Sequence, residues 1–469
     1  MSTYLAGDFG GGSGRVIAGR IETTAEGKLL VLKEIHRFEN YVVEMNGTLY
    51  WDFPMLLHQL KQGLVKAARE YKDIAGIGID TWGVDFGLID SRGNLIGNPI
   101  CYRDAHTLGE PEQFSHTHNV REHYSKVGVQ MLSINTLYRL LWMAKNDDPR
   151  LKIAKKLLFM PDLFGYFLTD VMANEYTISS TSEMLDAKKR EWDTELISSI
   201  GIDPDLFSEI KAPGTELGPV SESVREETGL NPGVKVINVG SHDTASAIYG
   251  ALSPDEENEG CAFLSSGTWS LLGIVSDKPI LTESARESGY TNEGGVGEKI
   301  TFLTNITGLW ILQRLKAQWE SEGETLSWPE MIKEAEESAN VAEIHVDDPC
   351  FQNPNKIQQT IEEYCQNHGL AVPASRGEFV RCVCESLATR YKKAIEDLNR
   401  QLPEPVKKLK IFGGGSQNDF LNRLTEEKTG VKVEKGPVEA TAIGNILVQA
   451  IALGEIKDKS EIKGIKEIR

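Results

Sequence analysis

Two acidic residues stand where a ligand could reach them. Asp8 closes the apolar run "TYLAGDF", and Asp243 follows His242 in "VGSHDTASAIYG", just after the buried-strand pattern Val234–Val239. Each lies beside small residues that leave room for a substrate. Three glycine turns accompany them: "GGGSGR" after Asp8, "SSGT" at 265–268, and "GGGSQN" at 413–418. Glycine lets backbone amides approach an anion closely, and an amide-rich turn opening a helix favours negative charge. Arg15 adds a cation to the first turn; Ser265, Ser266 and Thr268 add hydroxyls to the second. Amides and hydroxyls around a polyphosphate, a carboxylate for Mg2+ and a base for an attacking hydroxyl are the parts of phosphoryl transfer. Asp8 fits the metal role and Asp243 the base. Other readings stay open here: Asp243 as a helix N-cap, His242 as a satisfied structural histidine, Arg15 as half of a structural ion pair, and each turn as mere packing.

The elements that would position these groups follow from periodicity. Strands are expected at "TYLAGDF", "RVIAGRIE", "LLVLKEIHRF", "IAGIGID" and "VDFGLID", and a helix over 53–71 from apolar residues at Leu56, Leu57, Leu60, Leu64 and Ala67. Further helices are expected at 136–145, 163–168, 309–320 and 377–398. "CAFLSSGTWSLLGIV" repeats the strand–turn–strand form of the N-terminus about half a chain later, as an architecture built twice would. The third turn runs from strand "LKIF" into a helix, and the segment "GPVEATAIGNILVQAIALGEI" is expected to form a helix packed against it. The charged residues 457–469 are expected at the surface. A break in the loop-like stretch 251–260 divides the chain into 1–250 and 251–469.

The 469 residues are too many for one ordinary core, and 40% hydrophobic with 25% charged residues describes a globular protein. A formal net charge of −19 argues against nucleic acid or an anionic membrane as partner. No targeting segment and no 18-residue apolar run stand out, so the expected setting is the cytoplasm. The six cysteines form no paired zinc framework and read as free thiols. There is no G-x-x-x-x-G-K-[ST] loop and no acidic residue on a second strand to complete a dinucleotide fingerprint.

Taken together and in order, "DFGGGSGR", "IGIDTWGVDF", "YRDAHT", "FMPDLFGYFLT", "SHDTASA", "LSSGTWSL", "TNEGG", "NITGLWILQR" and "GGGSQN" resemble the FGGY carbohydrate kinases of the sugar kinase/actin-like superfamily, from about residue 4 to 454. The resemblance implies an α/β fold of two domains, ribonuclease H-like, with duplicated mixed sheets and a cleft between them. It implies a sugar-binding N-terminal domain, an ATP-binding C-terminal domain, and ATP with Mg2+ as cofactors. The small-molecule partner would be a ketose, phosphorylated on its 1-hydroxyl: L-rhamnulose by the best motif match, with L-fuculose or L-xylulose as alternatives. A non-catalytic actin-like ATP or sugar binder is the alternative of another class. By resemblance Asp243 is the general base; Gly83, His242, Asp243, Thr244 and Asn305 contact the sugar. Gly11, Gly12, Ser13, Gly14, Arg15, Thr268, Gln313, Gly414 and Gly415 contact the nucleotide, and Asp8 with Asp243 faces the metal. The first loop departs from the alanine–serine version of some members while keeping Ser13, Gly14 and Arg15. Cys365 and Cys382 match a pair bridged in some relatives, although a reducing cytosol opposes a bridge. Monomer and homodimer both remain open.

Overall fold

A computed structural model describes residues 2–468 except 26, 259, 352, 353 and 355. Strand β1 (Thr3–Phe9) is buried along its whole length, because both its faces are covered. Leu5 and Phe9 point toward the helix Phe53–Glu70, whose Leu56, Leu60, Leu64 and Ala67 form one apolar stripe. Asp52 caps that helix, accepting from the Met55 amide at 3.1 Å. Tyr4 and Ala6 point the other way.

Around β1 assemble β2 (Ser13–Thr24), β3 (Gly27–Glu39), β4 (Ile74–Thr81), β5 (Glu216–Pro219) and β6 (Lys235–Ile237). The sheet order is β5-β6-β4-β1-β2-β3, with Ile462–Ile468 outside β3. β1, β2 and β3 are antiparallel neighbours, whereas β4 and β6 run parallel to β1. A second sheet contains β7 (Cys261–Ser266), β8 (Trp269–Ser276), β9 (Tyr290–Gly294), β10 (Ile300–Thr307), β11 (Lys408–Phe412) and β12 (Lys432–Lys435). Its order is β9-β10-β8-β7-β11-β12. The antiparallel run β10-β8-β7 followed by parallel β11 and β12 repeats β3-β2-β1 followed by β4 and β6. The duplication suggested by the two strand–turn–strand segments is therefore present in the topology.

Two helices lie between the sheets. α1 (Asp243–Ala251) packs Ala247, Ile248 and Ala251 against Phe263, Leu303 and Phe412 of the second sheet. Helix α2 (Trp310–Ser321) follows β10, and α3 (Ala440–Ala452) lies against the first sheet, with Ala442, Ile443, Ile446 and Ala450 on Tyr4, Ala6, Ile17 and Ile21. α1 and α3 touch backbone to backbone where Gly250 meets Gly444: a Cβ on Gly444 would lie 1.8 Å from the Ser246 carbonyl oxygen.

This placement corrects the expectation that α3 packs on the third glycine turn. Its wide apolar surface instead closes the face of the first sheet that the Phe53–Glu70 helix leaves open. The charged tail does more than lie at the surface. Ile462–Ile468 pairs in parallel with β3, so residues after 440 return to the first sheet although they lie in the 251–469 segment. The charged region before Asn340 also contains a helix, Trp328–Glu337, set by a Ser327/Glu330 capping box. All six cysteines are free, Cys365 and Cys382 included.

Candidate active site

The ends of β1, β4 and β6 point at one place. Asp8 on β1 is the register partner of Asp80 on β4, and Thr81 bridges to His242 just after β6. Neighbours in register on adjacent strands share a face. The topology therefore brings Asp8, Asp80 and the start of α1 to the same edge, where the strands end at a switch in chain direction.

A cavity of about 550 Å³ opens there between the two sheets. Gly11, Gly12, Gly83, His242, Asp243, Thr244, Thr268, Asn305 and Gln313 all line it, so both halves of the chain contribute. Thr268 donates to Gln313 Oε1 at 3.1 Å, joining the second turn to α2.

The remaining expected residues lie around the cavity rather than on its wall. Arg15 is ion-paired with both Asp8 and Glu439, which ties the first turn to the start of α3. The structural alternative for Arg15 thus describes its position. Gly14 makes room for the Phe38 ring, which a Cβ would meet at 2.2 Å. Ser13 opens β2. Gly413, with φ of 80°, and Gly415 bring the third turn onto Ser266, whose Oγ would lie 2.0 Å from a Cβ on Gly415. Gly414, in contrast, faces open space, as does Gly12.

Asp243 is the first residue of α1, not its N-cap. The cap position belongs to His242, whose side chain makes no capping bond. Asp243 Oδ1 accepts from the Thr244 amide at 2.6 Å and from the Thr244 hydroxyl at 3.2 Å. His242 Nε2 lies 3.6 Å from Asp243 Oδ1, and its Nδ1 lies 3.2 Å from Glu293 Oε2. Burial opposes a charge on His242, yet Glu293, Asp243 and Glu175 outweigh it and hold the imidazole above its ordinary range. Burial pushes the Asp243 carboxyl up, His242 pulls it back, and Asp8 adds to the rise. Asp80, wholly enclosed between Asp8 and Asp243, is pushed well above the carboxylate range by burial first and by Asp8 and Asp243 next, against the hydrogen bond from Asn445. Asn445 Nδ2 donates to Asp80 Oδ2 at 2.6 Å, while Asp80 Oδ1 has no partner.

The Gly83–Val84 turn carries strain. Val84 has φ of 65°, a conformation rarely taken by β-branched residues and one that clusters at functional sites. It is pinned from both sides: its amide donates to Thr181 Oγ1 at 3.0 Å, and its carbonyl accepts from Thr136 Oγ1 at 2.7 Å. Beneath it, buried Asp85 pairs with Arg139 and accepts from Trp82 Nε1 at 2.9 Å. The bare Gly83 faces His242 Nε2, which a Cβ would meet at 3.3 Å.

Several lining residues had no assigned role in the sequence. Arg103 sits over the first turn, its guanidinium 3.3 Å from where a Gly11 Cβ would be. Trp269 and Trp310 flank the second turn, and Gln130, Thr291 and Glu293 close the opposite wall. Arg103 and Glu293 stand inside "YRDAHT" and "TNEGG", and Asp80 inside "IGIDTWG"; those segments were the signal, but nothing local marked the individual residue. Among the described residues no group of three or more His, Cys, Asp or Glu is arranged to hold a metal ion, so Asp8 and Asp243 do not form a metal cage by themselves.

Two lobes with repeated mixed sheets share a cleft that brings carboxylates at strand ends together with the first two glycine turns, an arrangement suited to phosphoryl transfer. The chain belongs to the FGGY family of carbohydrate kinases: the family's N-terminal domain matches residues 3–250 and its C-terminal domain residues 262–453. Its activity is that of an ATP-dependent sugar kinase. The chain is 42% identical to the rhamnulokinase of Bacteroides thetaiotaomicron over 466 residues, covering 99% of this chain and 93% of that protein. It is 37% identical to the rhamnulokinase of Bacillus subtilis, covering 98% and 93%. The fold is shared with a ligand-bound xylulose kinase from Lactobacillus acidophilus (TM-score 0.80, 15% identity, 98% and 91% covered). It is shared too with a Plasmodium falciparum glycerol kinase with ADP (TM-score 0.75, 17% identity, 97% and 90% covered).

Proposed function

We propose that the protein transfers the γ-phosphate of ATP to the 1-hydroxyl of L-rhamnulose, giving L-rhamnulose 1-phosphate and ADP. The observation that carries this reading is Asp243 on the cavity wall, with Thr268 and the first glycine turn lining the same space. The name shared by the nearly full-length relatives supports the choice of ketose.

In this mechanism Asp243 accepts the proton as the sugar oxygen attacks phosphorus. His242, Thr244, Gly83 and Asn305 orient the ketose. Gly11, Gly12, Thr268, Gln313 and the Gly414–Gly415 turn contact the nucleotide, with most sugar contacts drawn from the first half of the chain and most nucleotide contacts from the second. Arg15, locked between Asp8 and Glu439, acts as a brace for the first turn. The carboxylates at the strand ends suit a cation that keeps water and phosphate oxygens as its main ligands, as Mg2+ does. Asp8 and Asp243 would face it, and the unpartnered Oδ1 of Asp80 lies in the same buried cluster. When bound, Mg2+ neutralises phosphate charge; the protein's share is positioning. Six unpaired thiols suit a reducing cytoplasm.

The test is Mg2+-dependent ADP release across L-rhamnulose, L-fuculose, L-xylulose, L-ribulose and glycerol. The highest kcat/KM is expected for L-rhamnulose. Preference for another ketose would discard the substrate, and ATP binding without turnover on any of them would favour a sensor.

A further inference from the structure

Beyond His242, on the side away from Asp243, the cavity ends in a wall that carries polar atoms without hydrogen-bond partners. Thr291 and Glu293 of β9 line it, as does Gln130 from the facing loop. Alternation along β9 puts 291 and 293 on one face. Asn292, between them, is used up in the fold: it donates to the Gly128 carbonyl at 2.9 Å and accepts from the Ile280 amide at 2.7 Å. By contrast, Thr291 Oγ1, Glu293 Oε2, His242 Nδ1 and Gln130 Oε1 are all buried without a hydrogen-bond partner. Thr291 is 1% exposed, and Glu293 and His242 are each 8% exposed. Glu293 and His242 face one another at 3.2 Å without hydrogen-bond alignment. Buried polar groups are ordinarily paired, and two idle ones, Thr291 Oγ1 and Gln130 Oε1, beside a buried His242–Glu293 ion pair that keeps acceptor capacity on Glu293, point to a ligand rich in hydroxyls.

The same loop supplies an apolar surface through Val129, Leu132 and Ile134. It is built in advance. Asn135 Nδ2 donates to the Gln130 carbonyl at 2.9 Å and to Glu183 Oε2 at 2.7 Å, and buried Glu183 also accepts from Tyr138 at 2.8 Å. The Asn292 amide donates to the Gly128 carbonyl at 2.8 Å, which fixes the loop against β9.

We propose that Gln130, Thr291 and Glu293 read the hydroxyls of the ketose beyond its phosphorylated end, and that Val129, Leu132 and Ile134 enclose a terminal methyl group. This inference rests on the ketose kinase reading above and deepens it: the site selects 6-deoxyketoses. Sugar hydroxyls donate to Gln130 Oε1 and Glu293 Oε2, while Thr291 can donate or accept. Two of the three readers lie on the second sheet, so the lobe that faces ATP also recognises sugar.

The deciding pair of substrates is L-rhamnulose and L-fructose, which differ only by a 6-hydroxyl. An apolar wall discriminates weakly against an added hydroxyl, so a kcat/KM ratio of about 10 to 100 in favour of L-rhamnulose is expected. Calorimetric titration of L-rhamnulose into ATP-free Thr291→Val and Glu293→Gln should show affinity at least about tenfold weaker, because a partner of a sugar hydroxyl is lost. ATP affinity should stay at the wild-type level. Thr291→Ser, which keeps the hydroxyl, should bind as wild type does. Ile134→Thr, on the wall alone, should narrow the substrate ratio and provides a reading even should a β9 variant not fold. Equal turnover of the two sugars by wild type would overturn the methyl wall, and unchanged sugar affinity in both β9 variants would overturn the hydroxyl readers. Failure of wild type to bind or phosphorylate either sugar would overturn the function reading along with this one.

Discussion

Gly444→Ala is the sharpest probe of how the scaffold holds the base. The new Cβ would lie 1.8 Å from the Ser246 carbonyl oxygen, where ordinary contact begins near 3.4 Å, so α1 and α3 must separate by about 1.5 Å. The Asn445–Asp80 hydrogen bond lies on the far side of α3, between that helix and the first sheet, and is not stretched by this separation. Overpacking costs about 1–3 kcal/mol, against about 1 kcal/mol gained by replacing a helical glycine. The expected net loss is up to about 2 kcal/mol by urea unfolding. Because α1 begins at Asp243, a shift near 1 Å should also lower kcat by about 100-fold. Gly250→Ala would wedge the same crossing, with its Cβ 2.2 Å from the Ala440 carbonyl oxygen, so the two losses should not add. Wild-type urea midpoint and wild-type kcat in Gly444→Ala would refute the idea that this contact sets the position of Asp243.

Asp243→Asn should fold and bind sugar but lose about 10²- to 10⁴-fold in kcat, since an amide accepts no proton; near-normal turnover would remove Asp243 as base. In the wild type the base works ionised and burial raises its carboxyl, so the acid limb of kcat/KM should lie above the ordinary aspartate range; a profile flat down to that range would contradict the assignment. Thr268→Val breaks the link to Gln313 and should raise KM for ATP or lower kcat while sugar affinity without ATP stays the same; lost sugar binding would count against its nucleotide role. Arg139→Met leaves Asp85 buried and unpaired, and should cost about 3–5 kcal/mol in denaturant unfolding with a looser Gly83–Val84 turn, seen as a raised KM for the ketose; a loss under 1 kcal/mol would show the pair to be dispensable.

The strands and helices were legible because alternation and 3.6-residue periodicity report burial directly. β1 and the Phe53–Glu70 helix are examples, and the repeated strand–turn–strand segment disclosed the duplicated sheets. Packing partners were less legible. α3 is apolar on most of its surface, so its sequence states that it is buried without saying on which sheet. Within the site, residues beside a chain feature were readable: Asp243 at a strand end, Gly12 and Thr268 in turns. Asp80, Glu293 and Gln130 were not, since their importance arises from partners far away in the chain. Arg15 shows the converse. Its place in a glycine turn suggested an anion contact, and that turn gave no sign of its ion pairs with Asp8 and with Glu439, which lies 424 residues away.

The return of the chain to its starting sheet has a mechanical consequence. The chain passes from the first sheet toward the second between α1 and β7, and returns between β12 and α3 to the edge strand Ile462–Ile468. Two bodies joined at two points can rotate about the line through both, but they resist twist and sliding. Were the cleft to open, the two crossings would confine the motion to a single swing, and a cut at either one would remove that restraint.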